Sequence, residues 1–252
     1  MMKNNYNPPV IEDYTLSVQP LPVTVNLPHQ GVNFGMIDTS YTPDNVIIVA
    51  SGMSLKHFNL HSLRGLGYII TMNHTGKCVP FADAWITIDP WGLNGPQLPP
   101  ATFEGKIYAG VSEDYNTKTC KITREYKSID SRVIFLRRLF RTNHPSQTRA
   151  HSFYYRLSED PCCVATGNSA YAALNLAYLL NPKKILLLGV DGGNGYFFTN
   201  QETNESLAGL NALFTSSLRQ LESKGITVIN GSLNSEVTCF PRYTIDAALS
   251  KL

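Results

Sequence analysis

The 252-residue chain is 43% hydrophobic and 16% charged, which suits one α/β domain or two small ones with a sizeable core and excludes a disordered protein. Its net charge of +2 is too small for charge alone to argue for a nucleic-acid surface. Five cysteines (Cys78, Cys120, Cys162, Cys163 and Cys239) form an odd set with one adjacent pair and no CxxC, which reads as reduced thiols in a cytoplasm and no zinc site.

The start, MMKNNYNPPVIEDY, lacks the apolar centre of a signal peptide. No apolar run approaches the ~18 residues needed to cross a membrane. A cytoplasmic protein without a membrane partner is expected. Residues 1–44 are rich in Pro, Asn and Thr. They read as an extended arm with short strands at LSV and VTVNL, or as a poorly ordered tail.

A different grammar begins at residue 45. NVIIVA, GYIITMN, ADAWITIDP and KIYAGVS read as buried strands, with LKHFNLHSLRGL a helical or turn segment after the first. Continuous apolar strands alternating with helical segments are what a parallel sheet covered on both faces needs. Residues 112–160 read as an insertion in which RVIFLRRLFR is a strand or a short helix, and its polar, aromatic second half suits a lid or substrate-facing loop. SAYAALNLAYLL has helical spacing, with Asn168 or Ser169 as N-cap. KKILLLGVDGG is a strand ending in a Gly-rich turn at Asp191. ESLAGLNALFTSSLRQLESKG reads as one long amphipathic helix stopping at Gly225. ITVING is the last strand, and DAALSKL a terminal helix. The fold expected is a doubly wound, mostly parallel, Rossmann-like α/β sheet, with the arm at 1–44 and the nucleotide-binding domain at 45–252.

In such a sheet ligands bind beyond the carboxyl ends of the strands. Those ends carry Ser51-Gly52-Met53-Ser54, Asn73-His74-Thr75, Asp89-Pro90-Trp91, Asp191-Gly192-Gly193-Asn194 and Asn230-Gly231-Ser232, while ATGNSAY leads into a helix start. Glycine lets backbone approach a ligand, helix-start N–H groups favour an anion, and Asn or Asp can bracket a ribose or a base. A nucleotide is the natural ligand; each turn taken singly also reads as a turn and nothing more. Gly52 is expected to hug the ligand, and to sit at positive φ if the turn demands it, so that Gly52→Val blocks binding and leaves the fold. ASGMSL lacks G-x-G-x-x-G, Asn73 stands where an acidic residue would close the second strand, and no G-x-x-x-x-G-K-[ST] occurs, which disfavours NAD and P-loop chemistry.

VIIVASGMSLKHFNLHSLRG, YIITMNHT, ADAWITIDP and ATGNSAYAALNLAYLLNPKKILLLGVDGG resemble two blocks of the bacterial lipooligosaccharide sialyltransferases and of the broader 6-hydroxymethylpterin pyrophosphokinase-like family, bacteriophage members included. VINGSLNSEVTCFPRYTIDAAL resembles the tail of the phage and pterin-type chains. The likeness covers residues 45–93 and 162–248. It implies a glycosyltransferase using a nucleotide-sugar donor, with the nucleotide held by Ser51, Gly52, Ser54, Thr166 and Gly167, beside Asn168 and Ser169 at the helix start. It also implies that Asn73 faces the nucleotide sugar, that Asp89 stands where the family has Asn before Pro, and that Asp191 matches the Asp of its Gly-Ile-Asp.

The family's catalytic His has no counterpart in NGYFFTNQETNESLAG, although Tyr196 lies near the place of its paired tyrosines. His144 and His151 of the insertion, together with the carboxylate of Asp191, are the candidates for proton transfer in its place, with Tyr154, Tyr155, Arg137, Arg138 and Arg141 beside the histidines. Trp85 and Trp91 read as core and rim, and Cys162-Cys163 as unreactive. No cofactor is firmly implied. Magnesium enters only under the alternative of a pterin-type pyrophosphokinase using ATP, where Asp89 and Asp191 would hold the metal. A third reading is a non-catalytic nucleotide-binding protein. The acceptor is open, and so is a homo-oligomer.

Overall fold

A computed structural model of the chain describes residues 34–88, 98–111, 115–116, 121–122, 131–139, 155–165, 167–193, 195–198 and 209–252. The branched apolar runs form β1 (Asn45–Val49), β2 (Tyr68–Met72), β3 (Ala84–Thr87) and β4 (Lys106–Val111), with the short helix α1 (Thr75–Cys78) before β3. A small antiparallel ribbon, β5 (Tyr115–Asn116) and β6 (Lys121–Ile122), precedes β7 (Val133–Leu139) and β8 (Cys163–Ala165). The chain then forms α2 (Ser169–Leu180), β9 (Lys184–Leu188), α3 (Leu210–Thr215), α4 (Leu218–Ser223), β10 (Thr227–Asn230) and α5 (Ile245–Leu249).

Among the described residues, eight strands make one sheet in the order β10-β9-β1-β2-β3-β4-β7-β8. Every neighbouring pair in it is parallel. The alternation along β1 shows how it is covered. Val46, Ile48 and Ala50 join the core under α2, while Ile47 and Val49 join the core containing Leu55, Leu63 and the fully buried Trp85. Both faces are apolar because both are buried, as a parallel sheet requires.

The path of the chain locates the reversal. From β1 outward through β2, β3 and β4, the connections pack on the Ile47 face, where Leu55, Val79 and Phe103 lie. From α2 through β9 to β10 they pack on the Val46 face, where Leu213, Phe214 and Leu221 lie. Right-handed crossovers put opposite directions of travel on opposite faces. The sheet is therefore doubly wound, with its switch point between β1 and β9.

Two elements differ in detail from the sequence reading. VIFLRRL, inside the expected insertion, is β7, a strand of the main sheet held between β4 and β8 with Val133 and Leu136 buried. The long helix expected up to Gly225 is two helices over its described part. Ser216 and Ser217 lie between them, and their hydroxyls donate to Leu213 O and Phe214 O, 2.6 and 2.7 Å away. Such back-bonding competes with the helical ladder and bends it. Helix α2 covers SAYAALNLAYLL as its spacing indicates, and every residue from Ala170 to Leu180 is buried. Residues 34–44 dock on the domain. Gly35 N–H donates to Phe135 O, Ile37 N–H donates to Pro161 O, and Ile37 is buried. Among the described residues no helix is long and apolar enough to cross a membrane.

Candidate active site

The switch point brings together two turns far apart in sequence. Ala50 N–H donates to Leu188 O and Gly52 N–H to Gly189 O, each at 2.8 Å, so the turns after β1 and β9 run side by side. The clasp between them is Asp191. Its Oδ2 accepts from Ser54 N and its Oδ1 from Ser54 Oγ, both at 2.8 Å, across 137 positions of sequence. The Gly-rich turn is braced from behind, where Glu236 N–H donates to Asp191 O and Ser235 Oγ to Val190 O.

This geometry corrects the reason given for Gly52. Its φ is −65° and its ψ 155°, open to any residue. A Cβ there would lie 2.4 Å from Asp191 Oδ2 and 2.5 Å from Gly189 O. What occupies the space beside Gly52 is protein. The left-handed positions are Gly189 and Gly192, at φ +68° and +91°, where an L side chain is strained.

Asn73 ties three more elements. It sits at φ 47°, a conformation Asn tolerates better than most residues. Its Nδ2 donates to Ser169 Oγ at 3.2 Å, and its Oδ1 accepts from Thr87 Oγ1 at 2.8 Å. Its backbone carbonyl accepts from the Trp85 indole N–H at 2.8 Å. The ends of β2 and β3 are thereby fixed to the start of α2. Asn168, not Ser169, is the cap, accepting from Ala170 N–H at 2.7 Å. Gly167 precedes it at φ 125°. No acidic residue stands in the first turn of α2, so nothing there offsets the helix's attraction for an anion.

These turns enclose a cleft of about 240 Å³ onto which Ser51, Gly52, Asn73, Asn168, Ser169 and Asp191 open. Ser54 reaches it through Asp191. The cleft lies below the ~300–1,000 Å³ usual for small-molecule pockets. A larger hollow of about 650 Å³, lined by Tyr41, Arg64, Tyr68, Asp83 and Lys106, lies at the amino ends of β2 to β4. Ligands of open parallel sheets bind at the carboxyl ends, so the smaller cleft is the candidate site.

Asp89, His144, His151 and Thr166 lie outside the described residues, as do Trp91, Arg141 and Tyr154. Arg137 and Arg138 do not line the cleft. The Arg137 guanidinium lies 5.0 Å from the centroid of the Phe34 ring, and Arg138 Nη1 donates to Ile88 O at 2.8 Å. Asn230 also turns away from it: its amide serves its own turn, donating to Val237 O and accepting from Ser232 N–H. Among the described residues no three His, Cys, Asp or Glu side chains converge as metal ligands.

One aromatic group went unnoticed as a unit in the sequence. Tyr196 forms an antiparallel bridge with Gly52, and Phe197 N–H donates to Ser51 O at 3.0 Å. The Tyr196 ring, on the wall of the cleft, stacks on Phe198 with centroids 5.5 Å apart and planes at 10°, and Phe198 lies 5.7 Å from the His74 ring. The signal was the run Tyr196-Phe197-Phe198 directly after a glycine-rich turn. No protein-family model matches the chain, and neither does any curated protein or solved structure.

Proposed function

We propose that the protein is a sialyltransferase-like glycosyltransferase that holds a nucleotide-sugar donor in the β1/β9 cleft. The observation that carries this reading is the position of the cleft. It stands at the switch point of a doubly wound sheet, where turns of small residues meet the start of a twelve-residue helix. A phosphate would face the start of α2, whose N–H groups and dipole favour it. Asn73, whose amide is already held at both ends, would offer its remaining lone pair and proton to a ribose or sugar hydroxyl.

In the transfer, an acceptor hydroxyl attacks the anomeric carbon of the donor, the bond from that carbon to the phosphate oxygen breaks, and the nucleotide leaves with the electron pair. The hydroxyl proton needs a base. His144, His151 and Asp191 are the sequence's candidates, and His74, joined to the cleft wall through Phe198, is a fourth.

A second reading, a non-catalytic nucleotide-binding protein, is favoured by one observation. Both carboxylate oxygens of Asp191 accept bonds from Ser54, so Asp191 serves as a clasp and is less open to proton transfer. The same engagement weighs against the pyrophosphokinase alternative, in which Asp191 and Asp89 would share magnesium.

The test is a thermal-shift screen of CMP, CDP, UDP, GDP, ATP and pterins with and without Mg²⁺, since a ligand bound only by the native state raises the midpoint. The proposal expects CMP-type nucleotides to act without the metal, and transfer to survive both a chelator and Asp89→Asn. A chelator-sensitive activity that Asp89→Asn destroys would replace it with the pyrophosphokinase. Binding without turnover of any nucleotide sugar would favour the second reading.

A further inference from the structure

We infer that Tyr196 is the stacking platform for the nucleobase, so that the cleft reads its ligand through a π-face as well as through phosphate. The inference rests on the proposed nucleotide site and adds the chemistry of its second wall. Tyr196 is 46% exposed, and it is the one aromatic side chain among the described residues that line the cleft, beside Met72, Asn73, Asn168, Ser169 and Asp191. Its place is fixed before any ligand arrives. The Gly52 bridge and the Phe197 N–H bond to Ser51 O pin its backbone to the turn after β1. Phe198 lies parallel to it, and Phe197 meets Phe198 edge-on at 5.2 Å and 78°. Phe197 in turn packs against the buried core on the Ile47 face. A ring held in this way loses little conformational freedom on binding, and a flat base would extend a stack that already exists. Every base has such a face, so the platform sets affinity for a nucleoside without choosing among bases.

The test is calorimetric titration of wild type, Tyr196→Ala, Tyr196→Leu and Tyr196→Phe with CMP, AMP and ribose 5-phosphate. Loss of the ring should weaken CMP and AMP by at least about fivefold, in Tyr196→Leu as in Tyr196→Ala. Ribose 5-phosphate should be unaffected, and Tyr196→Phe should bind as wild type does. If Tyr196→Ala fails to fold, the Leu and Phe variants carry the comparison, because both keep apolar bulk and only one keeps the π-face. Unchanged CMP affinity in Tyr196→Leu, or an equal loss for ribose 5-phosphate, overturns the platform and leaves the nucleotide site standing. A wild type that binds CMP no better than ribose 5-phosphate also overturns it alone. A wild type that binds none of the three overturns the site and the platform together.

Discussion

Replacing Gly52 by alanine adds one methyl group where the two turns of the switch point touch. Real Cβ contacts essentially never fall below 3.0 Å, and this one would begin at 2.4 Å from Asp191 Oδ2 and 2.5 Å from Gly189 O. Either the turns part by about half an ångström or the Asp191 carboxylate rotates off Ser54. Overpacking of this kind costs about 1–3 kcal/mol, and a lost bond to a carboxylate costs about 1.5–3 kcal/mol. By either route a loss of about 1–3 kcal/mol is expected. At a urea m-value of about 2–3 kcal/mol/M, this moves the unfolding midpoint down by roughly 0.3–1.5 M. The cause can be isolated with a double-mutant cycle. Asp191→Ala removes the clasp but also the atoms nearest the new methyl, so Gly52→Ala should cost less in that background, with a coupling of about 1–2 kcal/mol. The carbonyl of Gly189 stays in the way, so the cost should not vanish. If Gly52→Ala lies within about 0.5 kcal/mol of wild type, or its cost is unchanged in the Asp191→Ala background, the turns are not packed as described.

Other positions are expected to answer as follows. Asn73→Ala removes the acceptor of the Thr87 hydroxyl and leaves an alanine at φ 47°, and should cost about 1–3 kcal/mol; Asn73→Gly should be milder in the same urea titration, since it relieves the backbone. Asn175→Leu should be among the most damaging single changes in α2. The buried Asn175 Oδ1 accepts from both Ser158 N–H and Ala165 N–H, and two orphaned buried donors cost about 2–6 kcal/mol. A melting midpoint close to wild type would contradict that accounting. Burial first, and then the hydrogen bond to Asp160, push the Cys163 thiol up to about 12. The unfolded chain therefore loses this proton from about pH 8.5 while the folded chain keeps it, and stability should fall as pH rises from there towards about 12. Removing the thiol in Cys163→Ala should flatten that slope in denaturant titrations across the alkaline range. Native Cys163 should resist iodoacetamide at pH 8 and react once unfolded, as mass-spectrometric mapping would show.

The strands were legible because a strand buried on both faces must be apolar throughout: NVIIVA, YIITM and KILLL need no partner to be recognised. The same local logic gave α2 its range and Gly225 its place as a stop, since the cost of a Cβ at φ +69° there is paid within one residue. Chain order with short connections was enough to suggest a doubly wound sheet. Tertiary contacts decided the rest. VIFLRRL carries arginines that a central strand would not advertise, and it became β7 because β4 and β8 offered their hydrogen-bonding edges. The serines at 216 and 217 broke a pattern that periodicity alone would have continued. At the site, the recurrence of small residues at strand ends was visible, and the structure opens Ser51, Gly52, Asn73, Asn168, Ser169 and Asp191 onto one cleft. Their reasons were not visible. That Gly52 is small because of Asp191, and that Asp191 is held by Ser54, are relations across more than a hundred residues, created when β9 pairs with β1. Sequence spacing carries the period of a strand or helix, whereas the partner of a side chain is set by strand order and register, which arise only when the whole sheet assembles.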